Sequence, residues 1–352
     1  MKMKKSVIYL LLAVFTTVSF ASDNEMLLKK TIWGNISPKS VVHSGNGLFF
    51  AQNMMYRNTI TVYNRDFDLV KTIPDNVRLS DFGFDQYSGM YKGAPVEIAF
   101  SHGGKYAWVS NYRMAGQGFT NPGNDRGTPE GNFDKSFVYK INTETFEIEN
   151  VVKVGAVPKY VAVTPDDRYV LVTNWCDYNM SVIDTETEKV VRTIFLGRFP
   201  RGIEVTADSK TAYVAVMGSY DIAVVNLEDF SHRFLRGVGR SPRHLCLHPD
   251  GKHLYATLNG EGKVAKIDLE TERVLHKIET GDAPRSMVLS DDGKYLYVVN
   301  YFSDSMSKVD AETMKVIQTV ATNERPIGIT YDKDTRQVWV ACYRGSIMIF
   351  QD

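Results

Sequence analysis

Apolar and polar side chains alternate over short segments along most of the chain, and turn-forming residues separate the segments. The segment Tyr-Leu-Tyr-Val-Val-Asn at 295–300, for example, follows the turn sequence Ser-Asp-Asp-Gly-Lys at 290–294. Alternation with a period of two predicts β-strands, and Asp, Gly and Pro between the strands predict tight turns. We therefore expect an all-β protein built from short antiparallel strands.

A proline marks the start of each repeat, and each unit contains four such segments. Five of these prolines follow one another at intervals of 42 residues: Pro158, Pro200, Pro242, Pro284 and Pro326. Two earlier units begin at Pro38 and Pro95, with intervals of 57 and 63 residues, so they carry extra segments. A period near 40 residues with strand-like content is typical of a β-propeller. The pattern predicts seven blades of four antiparallel strands.

The two chain ends are expected to share the last blade. Only 27 residues run from Pro326 to Asp352, enough for three strands. The sequence Thr31-Ile-Trp-Gly34 resembles the fourth strand of an internal unit, Thr193-Ile-Phe-Leu-Gly197. An N-terminal strand that completes the last blade would leave no open sheet edge at the seam.

The first residues are typical of a bacterial signal peptide. Lys2, Lys4 and Lys5 precede an apolar run at 7–20, and small residues at positions 19 and 21 predict cleavage after Ala21. We expect residues 1–21 to be the signal peptide and residues 22–352 to form a single propeller domain without a transmembrane segment. No cysteine follows the cleavage point to carry a lipid, so the expected location is the periplasm or outside the cell.

Charge and cysteine content narrow the function classes. The formal net charge is 0, and three lysines and no acids lie in residues 1–21, so the remainder carries −3. This balance does not indicate a globally basic nucleic-acid binder. Three scattered cysteines, Cys176, Cys246 and Cys342, are too few for a disulfide framework, and we interpret them as buried small apolar residues.

Two strand sequences carry a resemblance to a known family. Tyr169-Val-Leu-Val-Thr-Asn174 and Tyr297-Val-Val-Asn300 resemble the signature of YVTN-repeat seven-bladed propellers, which include periplasmic YncE-like proteins. The chain departs from the signature at Val214-Ala-Val-Met217 and Val340-Ala-Cys342. The resemblance implies the blade and no particular chemistry, so no catalytic residue follows from it.

In the fold that this resemblance implies, both extra segments lie on one face. They span about residues 75–93 and 113–136, and the second is rich in Gly and Pro. Long loops in a compact domain are usually functional or disordered. Two interpretations stay open: a lid over the face, or disordered surface loops.

The residue after the anchoring proline is basic in five of the seven units: Lys39, Lys159, Arg201, Arg243 and Arg285. In the same fold this position opens the innermost strand, so these side chains should encircle the mouth of the central channel. One interpretation is an anion-binding funnel, because guanidinium groups suit phosphate and carboxylate. The other is pairing of each cation with a neighbouring acid such as Glu97, Glu204 or Asp282.

Aromatic residues follow the second strand of several units and should lie around the same opening: Tyr112, Trp175 and Tyr301. Aromatic faces beside cations could stack on a sugar, a nucleobase or an extended polyanion. Alternatively, they pack between neighbouring blades. The asparagines that precede them are expected to tie loop backbones.

The chain contains none of the strongest local catalytic signatures: a G-x-S-x-G elbow, an H-E-x-x-H motif or a P-loop. His244 and His248 should lie at opposite ends of one inner strand, so these two and His253 should not share a metal. The Asp-x-Glu-Thr sequences recur once per unit and are expected to form hairpin turns rather than calcium sites. We predict no catalytic residues, no metal site and no cofactor.

Three functions remain in competition. The first is an exported binding scaffold whose basic mouth holds an anionic small molecule, an acidic glycan, a nucleic-acid strand or an envelope protein partner. The second is a lactonase-like hydrolase, since seven-bladed lactonases resemble this architecture. The third is a protein-interaction scaffold that uses the insertion loops. We expect a monomer.

Overall fold

Seven four-stranded antiparallel sheets make up the protein in a computed structural model that describes residues 25–352. The predicted signal peptide lies outside the described residues. Across the part that is described, no helix is long and apolar enough to cross a membrane. Each inner strand contacts the inner strands of both neighbouring blades, and that of blade 1 contacts that of blade 7. The predicted fold class, an all-β seven-bladed propeller, is confirmed.

The strands of blades 1 to 4 run from the channel outwards in chain order. Blade 1 contains β2 (Ser40–His43), β3 (Phe49–Asn53), β4 (Thr59–Tyr63) and β5 (Leu69–Pro74). Blade 2 contains β8 (Pro95–Ser101), β9 (Tyr106–Asn111), β10 (Phe137–Asn142) and β11 (Ile148–Lys153). Blade 3 contains β12 (Pro158–Val163), β13 (Tyr169–Asn174), β14 (Asn179–Asp184) and β15 (Lys189–Phe195). Blade 4 contains β16 (Pro200–Val205), β17 (Thr211–Val216), β18 (Ile222–Asn226) and β19 (His232–Leu235).

Blades 5 and 6 repeat this order, and blade 7 takes its outer strand from the N-terminus. Blade 5 contains β20 (Pro242–Leu247), β21 (His253–Leu258), β22 (Lys263–Asp268) and β23 (Arg273–Glu279). Blade 6 contains β24 (Pro284–Leu289), β25 (Tyr295–Asn300), β26 (Ser305–Asp310) and β27 (Lys315–Ala321). Blade 7 contains β28 (Pro326–Asp332), β29 (Gln337–Cys342), β30 (Ser346–Gln351) and β1 (Leu27–Trp33).

Both extra segments pack against Phe137 of blade 2 without joining its sheet. The first contains β6 (Asn76–Val77), a 3-10 helix (Leu79–Phe82) and β7 (Tyr91–Lys92), and the second contains a 3-10 helix (Pro129–Gly131). Lys92 and Ala115 exchange backbone hydrogen bonds, at 3.1 and 2.7 Å, which join the two segments. Phe119 of the second stacks on Tyr87 of the first, with ring centroids 4.9 Å apart. The two segments therefore pack as one layer.

The core lies between the blades, because every sheet has two apolar faces and each must be covered by a neighbour. Between blades 3 and 4, for instance, Leu171 and Val182 pack with Val214 and Val225, all fully buried. At the seam between blades 7 and 1, Trp339 stacks on Phe49 with centroids 3.8 Å apart. Arg65 forms an ion pair with Asp332 at 2.7 Å across the same seam.

The N-terminal strand closes the ring. Trp33 pairs with Ser346 and Leu27 with Gln351, so β1 covers the edge of β30 over its whole length. Met26, which precedes β1, is buried, and its backbone amide donates to the Gln318 side chain of blade 6 at 2.7 Å.

We expect deletion of residues 22–37 to lower the melting temperature by about 5 °C or more, since β30 would lose its ladder partner and Ile32 its buried site. Circular dichroism measured during heating would give the shift, with deletion of residues 22–24 as the control. Equal melting temperatures for the two truncated proteins would contradict closure by β1.

Candidate functional site

The anchoring prolines give the inner strands a common irregularity at one end. The residue before the proline has a left-handed backbone in five blades: Val157, Phe199, Ser241, Ala283 and Arg325, with φ between 53° and 62°. After the proline the ladder shifts register; in blade 3, Pro158 pairs with Asn174 and the next pair is Val161 with Val172. Such a bulge re-aims the side chains of the residues that it contains. The residue after the proline lies at the mouth of the channel, and the following one lines the channel below.

We call the five basic residues predicted at this position the basic ring: Lys39, Lys159, Arg201, Arg243 and Arg285. All except Arg285 are less than 9% exposed. Burial lowers the pKa of Lys39 well below its usual value, and the positive charges of Arg201 and Arg243 lower it further. Burial, followed by the charges of Arg201 and Arg285, lowers the pKa of Arg243 too. The cations therefore act on one another across a single opening.

The second insertion supplies an ion-pair partner for Lys159. Its ammonium lies 2.6 Å from a carboxylate oxygen of Asp125, and the Tyr112 hydroxyl donates to the same oxygen at 3.2 Å. Although burial alone would raise the pKa of Asp125, the Lys159 charge brings it below its usual value. The Trp175 indole donates to the Asp125 backbone carbonyl at 3.2 Å. The insertion thus places one carboxylate on the basic ring.

The other four cations of the basic ring have no such partner. Within residues 25–352, no carboxylate lies within 4.0 Å of the charged nitrogens of Lys39, Arg201, Arg243 or Arg285. The acids considered from the sequence, Glu97, Glu204 and Asp282, form no ion pair in this part of the chain. The Nε atoms of Arg243 and Arg285 are buried and have no hydrogen-bond partner among the described residues. Burial lowers the pKa of Arg285 to about 10.

A second feature of the mouth is a cavity of about 590 Å³ beside blades 6, 7 and 1. We call it the arginine–aromatic pocket; its charged and aromatic lining consists of Arg57, Arg285, Arg325, Arg344, Tyr56, Tyr301, Phe302 and Tyr343. The Arg285 guanidinium lies 3.9 Å from the Tyr301 ring centroid, and that of Arg325 lies 4.9 Å from the Phe302 centroid. Lys39 lies 5.3 Å from the Tyr343 centroid, so the basic ring and the pocket meet.

The aromatic residues predicted around the mouth have different surroundings. Trp175 is buried and stacks on Phe199 of the next blade, with centroids 4.5 Å apart, which is the packing role considered as the alternative. Tyr112 and Tyr301 are half-buried. The asparagine before Trp175, Asn174, is fully buried and donates to Ser181 at 2.9 Å, so it ties two strands together.

The mouth also contains residues that the sequence did not indicate, among them Tyr56, Arg57 and Arg325. Arg325 stands immediately before Pro326, at a position that is not basic in any other unit, so the repeat gives no signal there. Tyr56 and Arg57 lie in the turn between β3 and β4, on the face where the second and third strands of each blade connect. A comparison of all turns on that face would have indicated them.

Below the basic ring, the central channel encloses about 500 Å³ and carries titratable side chains that include Glu97, Tyr160, Glu204 and His244. Burial raises the pKa of Glu97 to about 6 and that of Glu204 to about 8. Burial, followed by the charges of Arg201 and Arg243, lowers the pKa of His244 to about 3. Its Nε2 lies 3.1 Å from the Tyr160 hydroxyl. The channel favours uncharged forms, whereas the mouth above it concentrates positive charge.

Glu204 is expected to make stability depend on pH. Its pKa rises on folding from 4.5 to about 8, so between these values the folded protein retains a proton that the unfolded chain releases. Stability therefore falls as the pH rises through this window. We expect Glu204→Gln to reduce, by at least about 1 kcal/mol, the loss of unfolding free energy between about pH 5 and about pH 8 in urea titrations. The exposed Glu270→Gln variant is the control, and an unchanged pH dependence in Glu204→Gln would contradict the burial effect.

Comparisons with known proteins support the fold. The model of the cytochrome D1 heme domain family matches residues 243–341, less than a third of the chain. Among solved structures, hydrazine synthase of Kuenenia stuttgartiensis is similar over 91% of this chain and 97% of that chain, with a TM-score of 0.72 and 16% sequence identity. No curated protein matches the sequence. At this identity the likeness shows the propeller fold alone.

Proposed function

We propose that this protein is an exported propeller scaffold of the YVTN-repeat, YncE-like kind that binds an anionic ligand at the basic ring. The first 21 residues direct it to the periplasm or out of the cell, and residues 22–352 form the binding domain. The candidate ligands are a phosphorylated or acidic glycan, a nucleic-acid strand, or an acidic segment of an envelope protein. Their shared chemistry is a phosphate or carboxylate group.

The observation that carries this proposal is that four cations of the basic ring form no ion pair among the described residues: Lys39, Arg201, Arg243 and Arg285. Glu97 in the channel and Asp125 act on them only from beyond 4.0 Å. Burial is the largest cause of the lowered pKa values of Lys39 and Arg243, and repulsion between the like charges at the opening lowers them further. An anion at the mouth would relieve the repulsion. It would also accept hydrogen bonds from the Nε atoms of Arg243 and Arg285, which are buried without a partner in residues 25–352.

Asp125 supports the choice of anion, because its carboxylate already occupies one position of the basic ring. It accepts from the Lys159 ammonium at 2.6 Å and from the Tyr112 hydroxyl at 3.2 Å. A ligand carboxylate or phosphate could use the remaining positions with similar geometry. We propose that the second insertion acts as a lid whose Asp125 competes with the ligand for the positive field.

The arginine–aromatic pocket would hold the part of the ligand next to its anionic group. The exposed rings of Tyr56 and Phe302 offer surfaces to a sugar or a base. Arg285 belongs to both the basic ring and the pocket, so one ligand could contact both. This continuity favours a binding scaffold that uses the mouth over one that uses the insertion loops alone.

The family whose model matches blades 5–7 suggests heme as a candidate ligand. The mouth has some of the features that heme binding requires. The basic ring suits the carboxylates of a heme, but the iron needs a side-chain ligand such as His, Met, Cys or Tyr. His244 lies deeper in the channel with its Nε2 on the Tyr160 hydroxyl. The Met217 sulfur lies 3.7 Å from the Arg243 guanidinium. Tyr56, Tyr301 and Tyr343 line the arginine–aromatic pocket, so side chains of a suitable type are present at the mouth. The family match covers less than a third of the chain, and our proposal does not rest on heme.

We expect phosphorylated sugars, acidic glycans or short single-stranded oligonucleotides to raise the melting temperature at low salt and to raise it less at high salt. A ligand at about a hundred times its dissociation constant adds about 2.7 kcal/mol of stability. Neutralising the ring by Arg201/Arg243/Arg285→Gln should abolish the shift. The control replaces three exposed arginines elsewhere, Arg168/Arg192/Arg273→Gln, and should retain it. A shift of equal size in both triple variants would rule out the basic ring as the site.

The lid proposal makes a separate prediction. Asp125→Asn removes the competing charge while retaining a similar shape, so we expect the anion that shifts the wild type to bind about tenfold more tightly, measured by calorimetry. Weaker binding by Asp125→Asn would instead mean that Asp125 holds the ring in its binding geometry.

A further inference from the structure

Three metal-ligating side chains converge at the far end of the inner strand of blade 5, away from the basic ring. They are His248, Asp250 and His253, and one ligand atom from each lies within 4.8 Å of the others. The Asp250 Oδ2 atom is 3.0 Å from the Nδ1 of His248 and 2.7 Å from the Nδ1 of His253. His244, which the sequence analysis considered together with them, is instead bonded to Tyr160 in the channel.

The repeat shows that the turn does not need these imidazoles. In blade 3, the Thr164 hydroxyl donates to Asp166 at 2.6 Å and accepts the Tyr169 amide at 2.9 Å. Blades 4 and 6 use the same arrangement, with Thr206 and Asp208 at 2.6 Å and Ser290 and Asp292 at 2.7 Å. Only in blade 5, of these four equivalent turns, do histidines replace both the hydroxyl residue and the first residue of the next strand.

The two oxygens of the Asp250 carboxylate have different partners: one contacts the backbone of the turn and the other contacts the histidines. Its Oδ1 accepts the backbone amides of Lys252 at 2.7 Å and His253 at 3.2 Å, as the aspartates of the sibling turns accept backbone amides. Its Oδ2 faces the two imidazoles. The Asp250 backbone amide donates to the Nδ1 of His248 at 3.2 Å, and a metal ion bound at this nitrogen would replace that hydrogen bond. The turn of blade 6 covers the far side of His248, because a Cβ on Gly293 would lie 2.6 Å from its Nε2. The neighbouring blade thus holds the His248 ring with Nδ1 towards Asp250.

We propose that His248 Nδ1, Asp250 Oδ2 and His253 Nδ1 bind a divalent transition-metal ion, with Zn²⁺ as the best match. Two imidazole nitrogens and one carboxylate oxygen form a ligand set that zinc accepts, whereas calcium and magnesium prefer oxygen alone. Tetrahedral zinc places such ligand atoms about 3.3 Å apart, so small side-chain rotations complete the site. Each of the three side chains is about a quarter to a third exposed, which leaves a coordination position for water or a ligand.

The site is tested by titrating metal-free protein with ZnCl₂ in a calorimeter, using protein without a polyhistidine tag. We expect one zinc ion per chain and a higher melting temperature that EDTA reverses. The His248→Thr/His253→Tyr variant gives the blade 5 turn the residues of blade 3 at these two positions, so it should fold and bind zinc at least tenfold more weakly. Asp250→Asn retains an acceptor for the turn and should weaken binding as well.

The matched control also loses two histidines, both exposed on outer strands: His232→Ala/His276→Ala. It should bind zinc as the wild type does. If the wild type binds no zinc, or if His248→Thr/His253→Tyr and Asp250→Asn bind it as tightly as the wild type, the cluster is an ion-paired turn and the proposal is wrong.

Discussion

Closure of the ring is the constraint on which the other features depend. A four-stranded sheet of this kind has two apolar faces and cannot bury both without a neighbour on each side. Blades 2 to 6 find those neighbours in chain order, whereas blades 7 and 1 must be joined by residues from opposite ends of the chain. The pairing of β1 with β30, the stacking of Trp339 on Phe49 and the Arg65–Asp332 ion pair supply that joint.

Ring closure also explains why positive charge accumulates at the mouth. A position repeated once per blade is repeated around one axis, so a basic residue after the proline in five blades becomes five cations at one opening. The pKa of an isolated lysine on the surface would change little on folding. Here burial and mutual repulsion lower the pKa of Lys39 and Arg243. Asp125 forms an ion pair with one of the five, Lys159, and Glu97 in the channel offsets part of the charge of the others without forming an ion pair. The remaining charge is the physical basis of the proposed anion site.

The repeat made the blades and the basic position predictable, because proline spacing and strand alternation are properties of sequence. The pairing of Lys159 with Asp125 was not predictable, since it joins a blade strand to a loop whose path no local pattern specifies. The burial of Trp175 against Phe199 depends on how two blades pack, so sequence left its role open. The convergence of His248 and His253 on Asp250 differs from the expectation, because the inner strand separates only His244 from the other two, whereas the turn brings His253 back beside His248.

Diffraction from crystals soaked in selenate, with data collected at the selenium absorption edge, would show whether an anion occupies the basic ring. We expect an anomalous peak at the channel mouth, within hydrogen-bond distance of the Nε atoms of Arg243 and Arg285. Peaks confined to other surfaces, with only water between those guanidinium groups, would contradict it.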